Sequence, residues 1–500
     1  MRKILEEKLW NCQIEHGRIL EIEWKDEIDP QALGLRFVKA ENICRVSVKL
    51  EPAPDSEIMV EVWLPSPEMW NGNFLGTGNG GFAGTINSIA LLNGASRGYA
   101  TANTDMGTTP DPDDCIGRPE KWIDFGYRAT HLMTVVGKQL TECVYGRKPE
   151  YAYFQGGSTG GQQALSEAQR YPGDYDGIVC YAPAHNRVKL HSFFIWNWQA
   201  LHGKQGACFL AKEASALRNE IVRRYGKIAG NAPGDGFLNY PGNVKVDVEA
   251  IRRETRLLTK EQSEALIKLY AGPSDPVTGQ QIMPGFVPGT EGEGLSLVDI
   301  SDRDKFAHDF FYLFRWIWGK EFDFMKFDFH KDLQEAMEKL SPVLDAVDPF
   351  LTAFRKRGGK LLIISGLCDA IIPYTGAVEY YRQICEMQGG LEETMTFCRH
   401  FLVPGLAHTF GGPGVQEIGN MGLKSVPRDR EHDTLCAMES WVEKGSAPDR
   451  LLGTALANNS LLGAFDHDRP AFAYPYVPMY RDGDPKDPGS FQAVQIEKQA

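Results

Sequence analysis

The sequence predicts an α/β protein: a mainly parallel, doubly wound sheet with helices on both faces, interrupted by an inserted helical domain. Three observations carry this. Short strand-like runs alternate with segments of helical period, which is the rhythm of a parallel sheet covered on both sides. Glycine-rich loops follow directly on two of the strands. Between residues 201 and 344 the rhythm stops and then resumes. Residues 1–200 and 345–500 therefore read as two parts of one core, and 201–344 as an insertion between them.

The elements follow in order. Residues 17–24, 43–50 and 58–64 read as strands, the last two alternating with period two as half-buried strands do. Residues 73–75 form a strand running into the loop 76–84, and 98–104 a strand ending at Asp105. From 124 to 145, Tyr127, His131, Leu132, Val135, Val136 and Leu140 recur at helical spacing. A strand over 150–155, a helix over 161–170 and a buried strand over 176–182 follow. The insertion carries helices over 213–225 and 259–270, Gly/Pro-rich stretches at 233–243 and 284–294, and an aromatic run from Phe306 to Phe329. The core resumes with a strand at 360–365, a helix near 376–387, a strand at 395–403 and a helix at 434–444. The tail from Pro470, rich in Pro and Tyr, reads as irregular.

Composition narrows the function. Lys+Arg 53 against Asp+Glu 66 gives a net charge of −13, and such a surface repels phosphate backbones and anionic membranes. Apolar residues at 42% place the chain among globular proteins. No stretch approaches the roughly 20 apolar residues of a membrane helix. The first residues, broken by Glu6, Glu7 and Lys8, have no signal-peptide core. The 10 cysteines show no CxxC and no zinc spacing with histidine, which suits free thiols in a reducing compartment. The expectation is a cytoplasmic protein acting on a small molecule, with no organic cofactor and an oligomeric state the sequence leaves open.

Gly156-Gly157-Ser158-Thr159-Gly160 lies between the strand 150–155 and the helix 161–170. G-x-S-x-G in that context is a nucleophile elbow: the turn holds a serine hydroxyl above the sheet edge, and the helix N-terminus directs amide hydrogens at developing negative charge. Such a serine needs a base, and the base an orienting acid, which in α/β-hydrolases follow in the order Ser, acid, His. Of 11 histidines, His408 fits best, on a Pro-Gly loop just beyond the strand 395–403; His400 lies within that strand. Asp369 ends the buried run 360–368 and is the candidate acid, with Asp345 and Asp348 next. The second oxyanion donor, beside the Thr159 amide, is expected from Gly80 or Gly81. A rival reading exists. Gly76-x-Gly78-x-x-Gly81 followed by Asp105 formally matches the dinucleotide fingerprint, which would make the protein an oxidoreductase.

The stretches 122–131, 153–178, 366–369 and 403–414 resemble the tannase/feruloyl esterase family, over about residues 45–445. The resemblance implies an α/β-hydrolase core with an inserted lid, a Ser158–Asp369–His408 triad, and hydrolysis of phenolic-acid esters. It implies that the lid aromatics Trp316, Trp318, Phe322 and Phe324 face the substrate. The family usually carries a disulfide between the residue before the nucleophile and the residue after the histidine; here those positions are Gly157 and Thr409. Closing that loop would contribute at most ~5 kcal/mol, so packing must hold His408 near Ser158. Most members are secreted, a habit the missing bridge argues against here. The family's lid often carries calcium. In the matching stretch 230–241 only Asp235 and Asn231 remain as side-chain ligands, short of the six to eight oxygens calcium takes, so a metal-free turn is expected. The acidic groups Asp111/Asp113/Asp114 and Asp429/Glu431/Asp433 read as solvated faces. The residues read best as a serine esterase. An acyltransferase working through the same acyl-enzyme, or a non-catalytic binding protein of this fold, would carry them too.

Overall fold

The computed structural model describes residues 2–29 and 38–496. Nine strands form one sheet: β1 (Gly17–Ile28), β2 (Ala40–Leu50), β3 (Ile58–Pro65), β4 (Phe74–Thr77), β5 (Ala100–Thr104), β6 (Ala152–Gly157), β7 (Gly177–Tyr181), β8 (Lys360–Gly366) and β9 (Cys398–Val403), in the order β1-β2-β3-β5-β4-β6-β7-β8-β9. The first four in that order pair antiparallel. From β5 through β4, β6, β7 and β8 to β9 all pairs are parallel. The chain passes from β4 outward to β5 and then returns to the other side of β4. The loops after β4 and β6 therefore leave neighbouring strand ends at a topological switch point, where open α/β sheets place their ligands.

Alternate residues of the parallel strands are buried on opposite faces. Phe74, Phe154, Ile178, Leu361 and Ile363 belong to the main core, and Leu75, Tyr153, Val179, Leu362 and Ile364 to a second cluster. Both faces are dry, as expected of a sheet covered on two sides. Between β7 and β8 the described residues hold no strand. They form helices including Arg187–His202, Ala211–Tyr225, Lys260–Ala271, Arg303–Phe310, Tyr312–Trp318 and Lys331–Leu344. Helix Arg187–His202 packs against helices Lys260–Ala271 and Lys331–Leu344.

Three local expectations need correction. Residues Arg2–Trp10 form a helix, which the sequence hides because only Leu5 and Leu9, one turn apart, are buried, against helix Ala129–Tyr145. The tail from Pro470 is ordered: β10 (Arg450–Leu456) pairs with β11 (Phe465–Phe472), and β12 (Tyr476–Tyr480) with β13 (Phe491–Gln495). Its prolines sit at turns and in the edge ladders of two-stranded ribbons, where a missing N–H is tolerated. The acidic groups are also not uniformly solvated. Asp113 is paired with Arg315 and Lys320, and Asp433 with Arg97, whose guanidinium and carboxylate are 6% and 2% exposed. Asp433 caps helix Thr434–Lys444 and ties it to the segment before β5.

Candidate active site

The turn after β6 is sharp. Ser158 has φ 62 and ψ −116, a conformation that strains any residue with a side chain and persists only where the surroundings enforce it. The Ser158 amide donates to Tyr181 O at 3.0 Å, and its carbonyl accepts from the Ala184 amide at 3.1 Å, so the end of β7 clamps it. Glycine is required at 156, where a Cβ would lie 2.5 Å from Gly160 O, and is favoured at 160, where a Cβ would lie a tight 3.1 Å from Asn79 O. Helix Thr159–Arg170 starts at the turn. Among the described residues, the amides of Thr159, Gly80 and Gly81 meet no acceptor. Positions 80 and 81 border open space, where an added Cβ would touch nothing within 4 Å.

Asp369 follows β8 and is 1% exposed. Its Oδ1 accepts from the amides of Ile371 (2.9 Å) and Ile372 (3.0 Å), which leaves Oδ2 to meet His408 Nδ1 at 2.7 Å. The loops carrying the pair are joined by the amide of Leu367 donating to Val403 O (3.0 Å) and that of Cys368 to Leu406 O (2.9 Å). With Nδ1 engaged, Nε2 is the nitrogen free for chemistry. Asp345 and Asp348 have other tasks: the first accepts from the Val188 amide, opening a helix, and the second from the Phe350 amide. His400 lies buried within β9 against Ser365, and burial depresses its pKa to about 3.

Ser158, His408, Gly80 and Gly81 line one cleft of about 570 Å³. The cleft is bounded by Phe82, Ile89, Leu295, Phe310, Ile371, Phe410 and Met421, with Asp309 its one carboxylate. An ideal Cβ on Gly157 would lie 3.3 Å from Thr409 Cβ. The residues flanking the serine and the histidine are thus in contact across about 250 positions of sequence.

A sequence profile of the tannase and feruloyl esterase family matches residues 44–494. The chain belongs to that family. It is 34% identical over 495 residues to an uncharacterised esterase of Xanthomonas campestris pv. campestris, covering 91% of this chain and 85% of the relative. It is 32% identical over 469 residues to a probable feruloyl esterase B-1 of Aspergillus flavus, covering 91% and 87%. Among solved structures, an esterase from Aspergillus oryzae superposes with a TM-score of 0.88 at 27% identity, covering 98% of this chain and 100% of that one. Feruloyl esterase B from the same organism gives a TM-score of 0.87 at 25% identity, with the same coverage. The protein is a carboxylic ester hydrolase of the α/β-hydrolase fold.

The esterase's remaining candidate residues serve other ends. The dinucleotide reading is overturned. A Cβ on Gly78 would lie 2.6 Å from Gly160 Cα, so that glycine lets the loop close on the elbow rather than on a pyrophosphate. Asp105 accepts from the amides of Met59 (3.0 Å) and Gly107 (2.8 Å) and, raised by burial to a pKa of about 7, serves its own turn. The four aromatics expected to face the substrate do not line the cleft. Trp316 is buried edge-on to Phe125 and donates to Pro112 O, while Trp318 stacks on Phe322, which meets Phe324 edge-on. Their rings pack against one another and the core; Phe310, earlier in the same run, is the one that reaches the cleft. The calcium stretch does not fit a dication. Asp235 accepts from Arg469 at 2.7 Å, both side chains being at most 6% exposed, and Asn231 is used by the Phe237 carbonyl and the Asn239 amide. Sequence reasoning missed Phe82, Phe410, Asn420 and Met421, which flank the glycine motifs and carried no signal apart from that position.

Proposed function

We propose that this esterase is a serine hydrolase that cleaves esters of phenolic acids through an acyl-enzyme. The observation that carries the reading is the convergence in one cleft of a serine on a strained turn and a histidine whose Nδ1 is held by a buried carboxylate. Ser158 Oγ attacks the ester carbonyl as His408 Nε2 takes its proton. Asp369 holds the ring in the tautomer that leaves Nε2 basic and stabilises the imidazolium. The amides of Thr159 and of Gly80 or Gly81 donate to the tetrahedral oxygen and stabilise its charge. His408 then protonates the leaving alcohol and activates water for deacylation.

The relatives named as feruloyl esterases support a phenolic acyl group. So does the cleft, where Phe82, Phe310 and Phe410 offer ring faces and edges to an aromatic acid. Asp309 at the cleft and no lining Lys or Arg favour neutral esters over those carrying a free carboxylate. The helical insertion acts as a lid, contributing Leu295, Asp309 and Phe310 to the cleft. The enzyme works without calcium, the Arg469 guanidinium supplying the positive charge at Asp235. All 10 cysteines are free, which supports a reducing, cytoplasmic setting; no helix among the described residues is long and apolar enough to cross a membrane.

Fluorophosphonate labelling of the wild-type enzyme and of Ser158→Ala tests the nucleophile. A label on Ser158 with loss of ester turnover in the variant is expected; unlabelled wild-type enzyme, or an active variant, overturns the reading. Initial rates on methyl ferulate, methyl gallate, methyl benzoate and ethyl acetate test the acyl class, with the phenolic esters expected to lead.

A further inference from the structure

We propose that Arg187 is a positioning residue of the oxyanion site, clamping the two chain segments that supply its amides and fastening the lid to them; this rests on the serine-hydrolase reading above. Arg187 opens helix Arg187–His202 just after β7 and is 3% exposed. Its Nη1 donates to Thr159 Oγ1 at 3.0 Å. Its Nη2 donates to Gly81 O at 3.0 Å and to the hydroxyl of Tyr312, on the lid helix Tyr312–Trp318. Thr159 Oγ1 itself donates to Gly81 O. One guanidinium thus joins the residue after the nucleophile, the carbonyl in the glycine loop, and the lid.

The geometry has a direct consequence for the amides. Gly81 has φ +58 and no side chain, so its peptide planes are free to turn unless something holds the carbonyl. Fixing the Gly81 carbonyl toward Arg187 and Thr159 limits how that loop's amides can be presented to the cleft. Donors fixed before reaction stabilise developing charge without reorganising. A planar fork holds acceptors on separate segments in one fixed geometry, which is what distinguishes arginine from the rotatable ammonium of lysine here.

The charge has a second consequence. Among the described residues Arg187 meets a carbonyl and two hydroxyls but no carboxylate, and its Nε has no partner. The rings of Phe125 and Tyr312 face the guanidinium at 5.3 and 6.0 Å. His191, one turn on, is kept neutral by burial and then by Arg187 itself. A buried cation without a counter-anion is costly in the resting enzyme. The anion that forms during turnover, on the substrate oxygen between the Thr159 and Gly80/Gly81 amides, is the charge it is placed to complement.

The test compares Arg187→Met, Arg187→Lys and Thr159→Val with the wild-type enzyme and Ser158→Ala on a phenolic methyl ester. Readouts are kcat, KM, affinity for a phosphonate analogue of the tetrahedral intermediate, affinity for the product acid, and thermal midpoint. A lost oxyanion donor costs about 100- to 1,000-fold, so Arg187→Met is expected to lower kcat by roughly 10- to 100-fold. Phosphonate affinity should fall in parallel, while KM and product affinity stay within about twofold. Arg187→Lys, keeping the charge without the fork, and Thr159→Val, removing one tie, should fall between. A variant with unchanged kcat, or with phosphonate and product affinity lost equally, overturns the clamp. If Arg187→Met does not fold, the same comparison on the other two decides. Turnover persisting in Ser158→Ala would instead refute the serine reading.

Discussion

Replacing Gly157 and Thr409 together by cysteine tests the geometry on which the site depends. A Cβ built on Gly157 lies 3.3 Å from Thr409 Cβ, close to the roughly 3.5–4.5 Å separation of disulfide-linked Cβ atoms. The nearest obstruction, Thr409 Cγ2 at 2.8 Å, leaves with the threonine, and Tyr181 Cβ at 3.3 Å has to yield by a few tenths of an ångström. The new bridge would close a loop of about 250 residues, for which the chain-entropy model gives an upper bound of about 5 kcal/mol. With an unfolding entropy of about 2 cal/mol/K per residue over 500 residues, that corresponds to a rise of about 5 °C in thermal midpoint. Both substitutions leave Ser158, Asp369 and His408 themselves in place, so turnover of the oxidised enzyme should stay within a few-fold of wild type. Because all 10 native cysteines are free, thiol titration in denaturant should fall by two on mild oxidation, and a peptide pair containing 157 and 409 should appear in a non-reducing digest. If the two thiols persist, the loops bearing the serine and the histidine are not adjacent, and the hydrolytic site as described is wrong.

Asp369→Asn should lower kcat by about 10⁴-fold, because the amide favours the wrong tautomer of His408, without a comparable change in KM; steady-state rates decide it. Glu417 is wholly buried and raised from 4.5 to about 7 by desolvation, while its Oε1 accepts from the Ile418 and Met421 amides beside the cleft. Its folded form holds the proton more tightly than the unfolded chain, so its contribution is complete below pH 4.5 and is lost as pH rises through 7. The loss amounts to about 3 kcal/mol, and urea unfolding at pH 5 and pH 8 should show that dependence flattened in Glu417→Gln. Arg469→Met leaves Asp235 buried and unpaired and should cost about 3–5 kcal/mol, whereas a calcium chelator should leave the wild-type thermal midpoint unchanged. Phe310→Ala should raise KM for phenolic esters several-fold and spare ethyl acetate, since it removes a ring from the cleft wall.

Much of this was legible from residues 152–170 alone. A strand, two glycines placed two residues either side of a serine, and a helix specify the turn through backbone sterics, and sterics is local. The parallel sheet was legible for a related reason: burial on both faces leaves continuous apolar runs such as Leu361–Ile364. The family resemblance, by contrast, placed Trp316, Trp318, Phe322 and Phe324 at the substrate, and they lie elsewhere. A resemblance carries over a segment's place in the chain, not what each side chain meets, and here Trp316 meets Phe125 while Trp318 stacks on Phe322. Asp113 and Asp433 were misread as solvated, and the partner of Asp235 was not foreseen, because Arg315, Arg97 and Arg469 lie 202, 336 and 234 positions away.

By itself the sequence determined the core parallel strands, the elbow and the residue types of the proposed triad, since these follow from short-range sterics and periodicity. Only the tertiary structure decided which atoms meet: Asp369 rather than Asp345 or Asp348 against His408, Phe310 rather than Trp316 at the cleft, Arg469 at Asp235, and Arg187 across Thr159, Gly81 and Tyr312. Those pairings depend on which strand ends lie side by side in the sheet, and long-range register is a property of the packed core rather than of any one segment.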